Sequence, residues 1–347
     1  MVMTAPPNLL VDRFARQIEY LRLSVTDRCD LRCFYCMPER MKFLPRRDIL
    51  SLEELMLVAD AFIARGVTKI RLTGGEPLVR RDVLDLVRAL GRRIGRGLSE
   101  LTMTTNGTRL AQFAEPLAAA GIRRINVSLD TLDPDRFAAL TRRSSLHDVL
   151  AGIAAAKRAC IRVKLNVVAL KGVNEAEIPQ IIRWAHSEGH EVTLIEVMPL
   201  GEVDGERVDQ HLPLTVVQEA LESRWTLEPI DKRTGGPARY WRICETGGVL
   251  GMITPLTQNF CAGCNRVRVT ATGQLFACLG GREQVDLRAA VRAGGTTAAL
   301  PDSKAVNAAL EAAMDEAMAI KPERHHFAIG TKGAAPKIAR HMSMTGG

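Results

Sequence analysis

Six short apolar or β-branched runs, Tyr20–Val25, Lys69–Thr73, Leu101–Thr105, Arg124–Leu129, Val163–Val168 and Val192–Val197, alternate with amphipathic stretches of helical period. That alternation demands a parallel sheet with helices packed outside it, because parallel neighbours can be joined only by long crossovers. Helices are expected at Ser51–Arg65, Asp82–Arg93, Ala111–Ala120, Leu146–Ala159, Glu177–Ser187 and Pro213–Ser223. Ser51 with Glu54 three positions on reads as a capping box, and Gly66 as the stop. Six strand-helix units fall short of a complete eightfold barrel. After Leu227 the texture changes: a Gly235–Pro237 break, shorter runs at Tyr240–Cys244 and Val249–Ile253, and an alanine-rich helix near Asp302–Met318 suggest a smaller second domain. The expected units are residues 14–230 and 231–347.

The first expected strand runs into a segment carrying Cys29, Cys33 and Cys36, spaced C-x3-C-x2-C. A four-iron cluster normally takes four thiolates, so three leave one iron open to chemistry. Structural zinc is the alternative, but it wants a fourth Cys or His nearby and the sequence has none there. A second triplet, Cys261, Cys264 and Cys278, is spaced C-x2-C-x13-C and again lacks a fourth neighbour. Asn265-Arg266-Val267-Arg268 follows its middle cysteine, and if this run is a strand both arginines share a face and suit a phosphate. A zinc knuckle with a solvated basic strand is the competing reading, and it would bind nucleic acid in a strongly salt-dependent way.

With 347 residues and 46% apolar content the chain can bury a large core, and 47 basic against 39 acidic side chains suit an anionic ligand without selecting one. Neither a signal peptide nor a membrane-spanning stretch is recognisable, so the chain is expected in the cytoplasm with its eight cysteines reduced. Cys160 and Cys244 belong to neither triplet and are expected as buried small hydrophobes. No Walker A loop is present, which argues against an ordinary P-loop hydrolase.

C-x3-C-x2-C with Tyr35 before the last cysteine resembles the signature of the radical S-adenosylmethionine superfamily. Gly74-Gly75-Glu76-Pro77 after the second strand strengthens the resemblance. It implies an α/β fold, a partial (β/α)6 barrel whose open side is closed by the smaller C-terminal domain. It also implies that Cys29, Cys33 and Cys36 hold a [4Fe-4S] cluster whose open iron binds S-adenosylmethionine, with Tyr35, Gly75, Ser128 and Met198 contacting that cofactor. The two triplets together are similar to the branch of this superfamily that acts early in molybdenum cofactor biosynthesis by cyclising GTP at its 3′ and 8 positions. Arg71-Leu-Thr-Gly-Gly-Glu-Pro77, Cys261-Ala-Gly-Cys-Asn-Arg-Val-Arg268, Lys321-Pro-Glu-Arg-His-His-Phe327 and the terminal Gly346-Gly347 carry this second resemblance.

From it follow a second [4Fe-4S] cluster on Cys261, Cys264 and Cys278, and GTP contacts from Arg22, Arg71, Thr104, Lys164, Arg266 and Arg268. Gly346 and Gly347 are implied to reach into the active site, although a reading of residues alone would leave such an end frayed. Thr345 stands before the diglycine where the family often has an aliphatic residue. The implied partners are GTP, a reduced electron donor such as flavodoxin and the downstream cyclic pyranopterin monophosphate synthase, with no membrane, and the resemblance admits a homodimer. Two rivals carry less of the pattern. A radical maturase acting on a peptide usually has more C-terminal cysteines, and neither it nor a nucleic-acid-binding module explains Gly74–Pro77 and the terminal diglycine together.

Overall fold

A computed structural model describes residues 9–203, 207–258, 260–293, 303–325, 327, 329 and 338–346. The six expected strands form at β1 Tyr20–Ser24, β2 Lys69–Thr73, β3 Glu100–Thr105, β4 Arg124–Ser128, β5 Arg162–Ala169 and β6 Glu191–Glu196. The crossovers are α1 Leu52–Ala64, α2 Val83–Gly91, α3 Leu110–Ala119, α4 Pro134–Thr141 with α5 Leu146–Arg158, and α6 Ile178–Ser187. Ser51 and Glu54 do close a reciprocal capping box at the start of α1. Helix α4 has no counterpart in the sequence reading, although Asp133 caps it and Pro134 opens it. The short α7 Arg207–Gln210 and α8 Leu214–Glu222 follow β6.

The C-terminal residues do not build a separate sheet. β7 Leu227–Ile230, β8 Arg239–Ile243 and β9 Val249–Ile253 form a meander whose last strand pairs parallel with β6. β10 Arg266–Val269 pairs parallel with β1, and β11 Gln274–Phe276 and β12 Val285–Asp286 extend that other edge. The result is one twelve-stranded sheet ordered β12-β11-β10-β1-β2-β3-β4-β5-β6-β9-β8-β7, whose end strands do not pair with each other. It is an open, partial barrel of the expected α/β class. Helices α9 Leu287–Arg292 and α10 Ser303–Ala319 pack together, and α11 Met342–Thr345 lies against β1.

Strand parity explains where the core sits. Side chains alternate between faces, and on β1 to β6 the residues directed at the helices are apolar and almost wholly buried: Leu21 and Leu23, Ile70 and Leu72, Val163 and Leu165. The opposite parity carries Arg22, Arg71, Asn126 and Lys164. The main core therefore lies between sheet and helices, which leaves the concave face free for polar side chains.

Cys160 and Cys244 are exposed, contrary to the expectation of burial. Cys160 follows the C-terminus of α5 with φ of 58°, and Cys244 leaves the end of β8 just before the Thr246–Gly247 turn. Both occupy places where the chain turns away from the core. No helix among the described residues is long and apolar enough to cross a membrane.

Candidate active site

The concave face holds two cavities that meet. An upper one, of about 1040 Å³, lies at the C-terminal ends of the strands, and a lower one, of about 1030 Å³, lies deeper within the sheet. Asn166, Ile195 and Met198 line both.

Cys29, Cys33 and Cys36 line the upper cavity. Their loop is held by backbone: Gly75 and Glu76 donate from their amides to the Thr26 and Arg28 carbonyls at 2.9 and 2.8 Å. A Cβ on Gly75 would stand 2.3 Å from the Arg28 carbonyl oxygen, and one on Gly74 2.4 Å from that of Thr26, so this approach requires two glycines. Buried Glu76 ties the next strand in, accepting from Thr105 Oγ1 at 2.8 Å and the Asn106 amide at 2.6 Å. Burial pushes its carboxyl up to about 7 against those donors. Asn106 Nδ2 in turn donates to Asp30 at 2.7 Å and lies 3.7 Å from Cys29 Sγ. Tyr35 lines the same cavity and its hydroxyl donates to Asp130. Gly75, Ser128 and Met198 also line it. Burial is the first cause that pushes the thiols of Cys29 and Cys33 well above the usual range, and neighbouring acids and each other's thiols add to it.

Cys261, Cys264 and Cys278 line the lower cavity, together with Arg22, Arg71, Lys164, Arg266 and Arg268. Register makes this dense. Parallel pairing sets Arg268, Arg22 and Arg71 abreast on β10, β1 and β2, and Arg266, Tyr20 and Lys69 abreast one layer below. Among the described residues lining this cavity there is no carboxylate, so its cations are not neutralised from within. Burial, the first cause, brings Arg22 down to about 10 and Lys164 to about 7. For Cys264, burial opposes ionisation, yet Arg266 and Lys321 bring the thiol down to about 7. Tyr20 behaves alike: burial pushes its hydroxyl up, but Arg71, Arg22 and Lys69 bring it down to about 7.

Thr104 departs from this grouping. It lines the upper cavity and accepts a hydrogen bond from Arg71 Nη1 at 3.1 Å, which joins the two spaces. Gly346 is placed between them as well: its carbonyl accepts from Arg22 Nη2 at 3.5 Å, and its Cα lies against Thr73. Gly347 lies outside the described residues. Tyr20, Asn126, Asn166, Thr193 and Tyr240 also line the lower cavity, and the sequence reading missed them. Parity was the available signal for the first four, which alternate along β1, β4, β5 and β6 with the apolar residues facing the helices.

The donor sets suit iron–sulfur clusters. Three thiols enter each cavity, and among the described residues no three His, Cys, Asp or Glu side chains converge as a single ion's ligands would. A cluster spreads its thiolates over separate irons. The lower cavity also holds buried polar atoms without a protein partner: Arg268 Nε and the Thr193 hydroxyl can donate to an anionic group, and Asn126 Oδ1 can accept from a donor on the same ligand.

Comparison with known proteins agrees with this geometry. Residues 23–185 match the Radical SAM superfamily, which brings S-adenosylmethionine and an iron–sulfur cluster, and residues 190–327 match Molybdenum Cofactor Synthesis C. A solved structure of Streptococcus suis SuiB bound to S-adenosylmethionine shares the fold at a TM-score of 0.56 and 14% identity, over 78% of this chain and 64% of that one. A GTP 3′,8-cyclase of Rhizobium leguminosarum bv. trifolii is 54% identical over 100% of this chain and 97% of its own. That of Erythrobacter litoralis is 66% identical over 97% of this chain and 98% of its own. The chain belongs to the GTP 3′,8-cyclase family of the radical SAM superfamily.

Proposed function

We propose that this chain cyclises GTP by a radical reaction to (8S)-3′,8-cyclo-7,8-dihydroguanosine 5′-triphosphate, an early step of molybdenum cofactor biosynthesis, using two [4Fe-4S] clusters. The observation that carries the reading is the contiguity of two cavities, one lined by Cys29, Cys33 and Cys36 and the other by Cys261, Cys264, Cys278 and a carboxylate-free set of cations. The first triplet holds the cluster that works with S-adenosylmethionine, and Tyr35, Gly75, Ser128 and Met198 hold that cofactor. The second triplet holds the cluster that faces the substrate. When bound, the first cluster and S-adenosylmethionine supply hydrogen-atom abstraction from the ribose.

The chain's own residues bind and orient. Arg22, Arg71, Lys164, Arg266 and Arg268 give a triphosphate charge-assisted partners. Thr104, bonded to Arg71, and Met198, shared by both cavities, fix the boundary at which ribose meets cofactor. Gly346 approaches that boundary from the tail, and the terminal diglycine assists the reaction there. Holding both reactants in one enclosed space is the protein's contribution to rate. Residues 14–230 form the partial barrel with the N-terminal cluster, 231–347 carry the second cluster and the diglycine tail, and both supply substrate-binding cations. The enzyme works in the cytoplasm, as a monomer or homodimer, with a flavodoxin-like electron donor, and passes its product to cyclic pyranopterin monophosphate synthase.

Anaerobic reconstitution with iron and sulfide, then incubation with GTP, S-adenosylmethionine and dithionite, tests the reading by mass spectrometry. Both 5′-deoxyadenosine and the cyclised nucleotide are expected. Deoxyadenosine without cyclised GTP would move the substrate elsewhere.

A further inference from the structure

Six cations, Arg22, Arg71, Arg124, Lys164, Arg266 and Arg268, line the lower cavity, and none of the described lining residues is acidic. Buried cations need acceptors, since a charge left without any costs far more than one that is paired. Glu100 pairs Arg124 from outside the cavity at 2.7 Å, and two tyrosines supply acceptors to Arg22, Arg71 and Lys164. Tyr20, 3% exposed, accepts from Arg71 Nε and hydrogen-bonds Arg22 as well, while Lys69 Nζ stands 4.9 Å above its ring. Tyr240, also 3% exposed, accepts from Lys164 Nζ at 2.6 Å, and its hydroxyl meets Thr234 Oγ1 at 2.8 Å. The two come from well-separated strands of the sheet, β1 and β8, and face the same space.

We propose that Tyr20 and Tyr240 are positioning residues for the substrate's phosphates, their hydroxyls holding Arg71 Nε and Lys164 Nζ so that the remaining N–H groups of both cations point at the nucleotide before and after it binds. This rests on the reading that the cavity binds GTP. The choice of side chain follows from the electrostatics. An Asp or Glu there would satisfy the same donors, but its full charge would repel the incoming triphosphate. A phenol accepts a hydrogen bond without a full negative charge, and it keeps that bond while the cation's other N–H groups turn to phosphate. Tyr20 also fits the register: it lies between Arg266 and Lys69 and one layer below the Arg268–Arg22–Arg71 row, so its hydroxyl reaches the row without filling it. The same cations bring the Tyr20 hydroxyl down to about 7, so a phosphate that neutralises them returns it to the neutral phenol with a proton from solvent.

The test uses the reconstituted holoenzyme under anaerobic conditions, with Tyr20→Phe and Tyr240→Phe, which keep volume and ring stacking. Equilibrium dialysis measures binding of GTP, GDP and guanosine, and steady-state assays give KM and kcat for GTP. Each Phe variant is expected to lose about tenfold in GTP affinity, the lower end for a hydrogen bond to a charged group, and to raise KM with kcat at saturating GTP changed less than threefold. Guanosine binding should stay within twofold. GTP affinity that is unchanged or improved in both variants overturns the proposal. So does an equal loss for guanosine, which would mean a merely structural role. If the unsubstituted holoenzyme binds neither GTP nor GDP, the cyclase reading itself fails and this one with it, an outcome recognisable without any variant.

Discussion

Arg22 and Arg268 stand side by side on paired parallel strands, Cα partner to Cα partner, with both side chains buried. Adjacent strands lie roughly 4.8 Å apart, so two like charges share one desolvated row, and Arg71 makes a third. Such a row works against the free fold and is retained for a ligand that neutralises it. Replacing Arg268 by Met should therefore weaken GTP binding by about 2–4 kcal/mol and raise the thermal midpoint of the cluster-loaded protein, the trade expected at a strained functional site. Calorimetry of binding and of unfolding on the same preparation checks both. A lower midpoint with GTP affinity intact would mean that Arg268 supports the fold and not the substrate.

Lys164 gives the site a pH signature. Burial, opposed only partly by Glu191, lowers its ammonium to about 7. In the free enzyme it is charged below that pH and neutral above it. A bound triphosphate favours the charged form, so above pH 7 binding must take up a proton and GTP affinity should fall by up to tenfold per pH unit. Below pH 7 this dependence should flatten. Lys164→Arg, which keeps its charge, should lower the slope between pH 7 and 8.5 to the share of Tyr20, which is also brought down to about 7, and adding Tyr20→Phe should remove it; a slope unchanged by Lys164→Arg would assign it to another group.

Gly75 permits no side chain. A Cβ there would meet Arg28 O at 2.3 Å and Asp27 O at 2.8 Å, both backbone atoms of the cysteine loop. Gly75→Ala should push that loop away from β2 and cost the N-terminal cluster while leaving the C-terminal one, whose ligands lie just before β10 and just after β11. Iron content and visible absorption after reconstitution, compared with Cys29→Ala, provide the check. Full iron and unaltered S-adenosylmethionine binding would show that the loop can give way.

Much of this was legible in the sequence because the strands are short, apolar on one parity and closed by glycines or caps. All six barrel strands lie within one or two residues of their expected ends. Helix α4 was missed because only Phe137 and Leu140 mark its apolar face, too few to reveal a period. The placement of β9 and β10 on opposite edges of one sheet could not be read either, since pairing between distant segments leaves no local pattern. Tyr20 and Tyr240 read as ordinary strand aromatics, and only their position among cations distinguishes them. Exposure of Cys160 follows from its left-handed backbone at the end of α5, a tertiary detail that a burial preference for cysteine cannot anticipate.

Arg340 pins the tail that carries Gly346. Its guanidinium donates to the Gly281 carbonyl at 3.2 Å and also to that of Leu279, and stacks 3.8 Å from the Phe276 ring centre. The Gly201 amide donates to Ile338 at 2.8 Å, and any Cβ on Gly201 would strike His341, so the tail is clamped from both sides. The Arg340 contacts lie on the loop after Cys278 and involve none of the upper-cavity cysteines. Arg340→Ala should release Ile338 to Gly346 and admit water to the boundary between the cavities. The expected outcome is a kcat for GTP cyclisation reduced about tenfold, close to 1.4 kcal/mol in barrier, with faster proteolysis at the C-terminus and global stability lowered by no more than about 2 kcal/mol. Deoxyadenosine formation uncoupled from cyclisation would accompany this if the tail's task is to shield the reacting centre. If proteolysis accelerates while coupled turnover stays intact, the tail is held for stability alone.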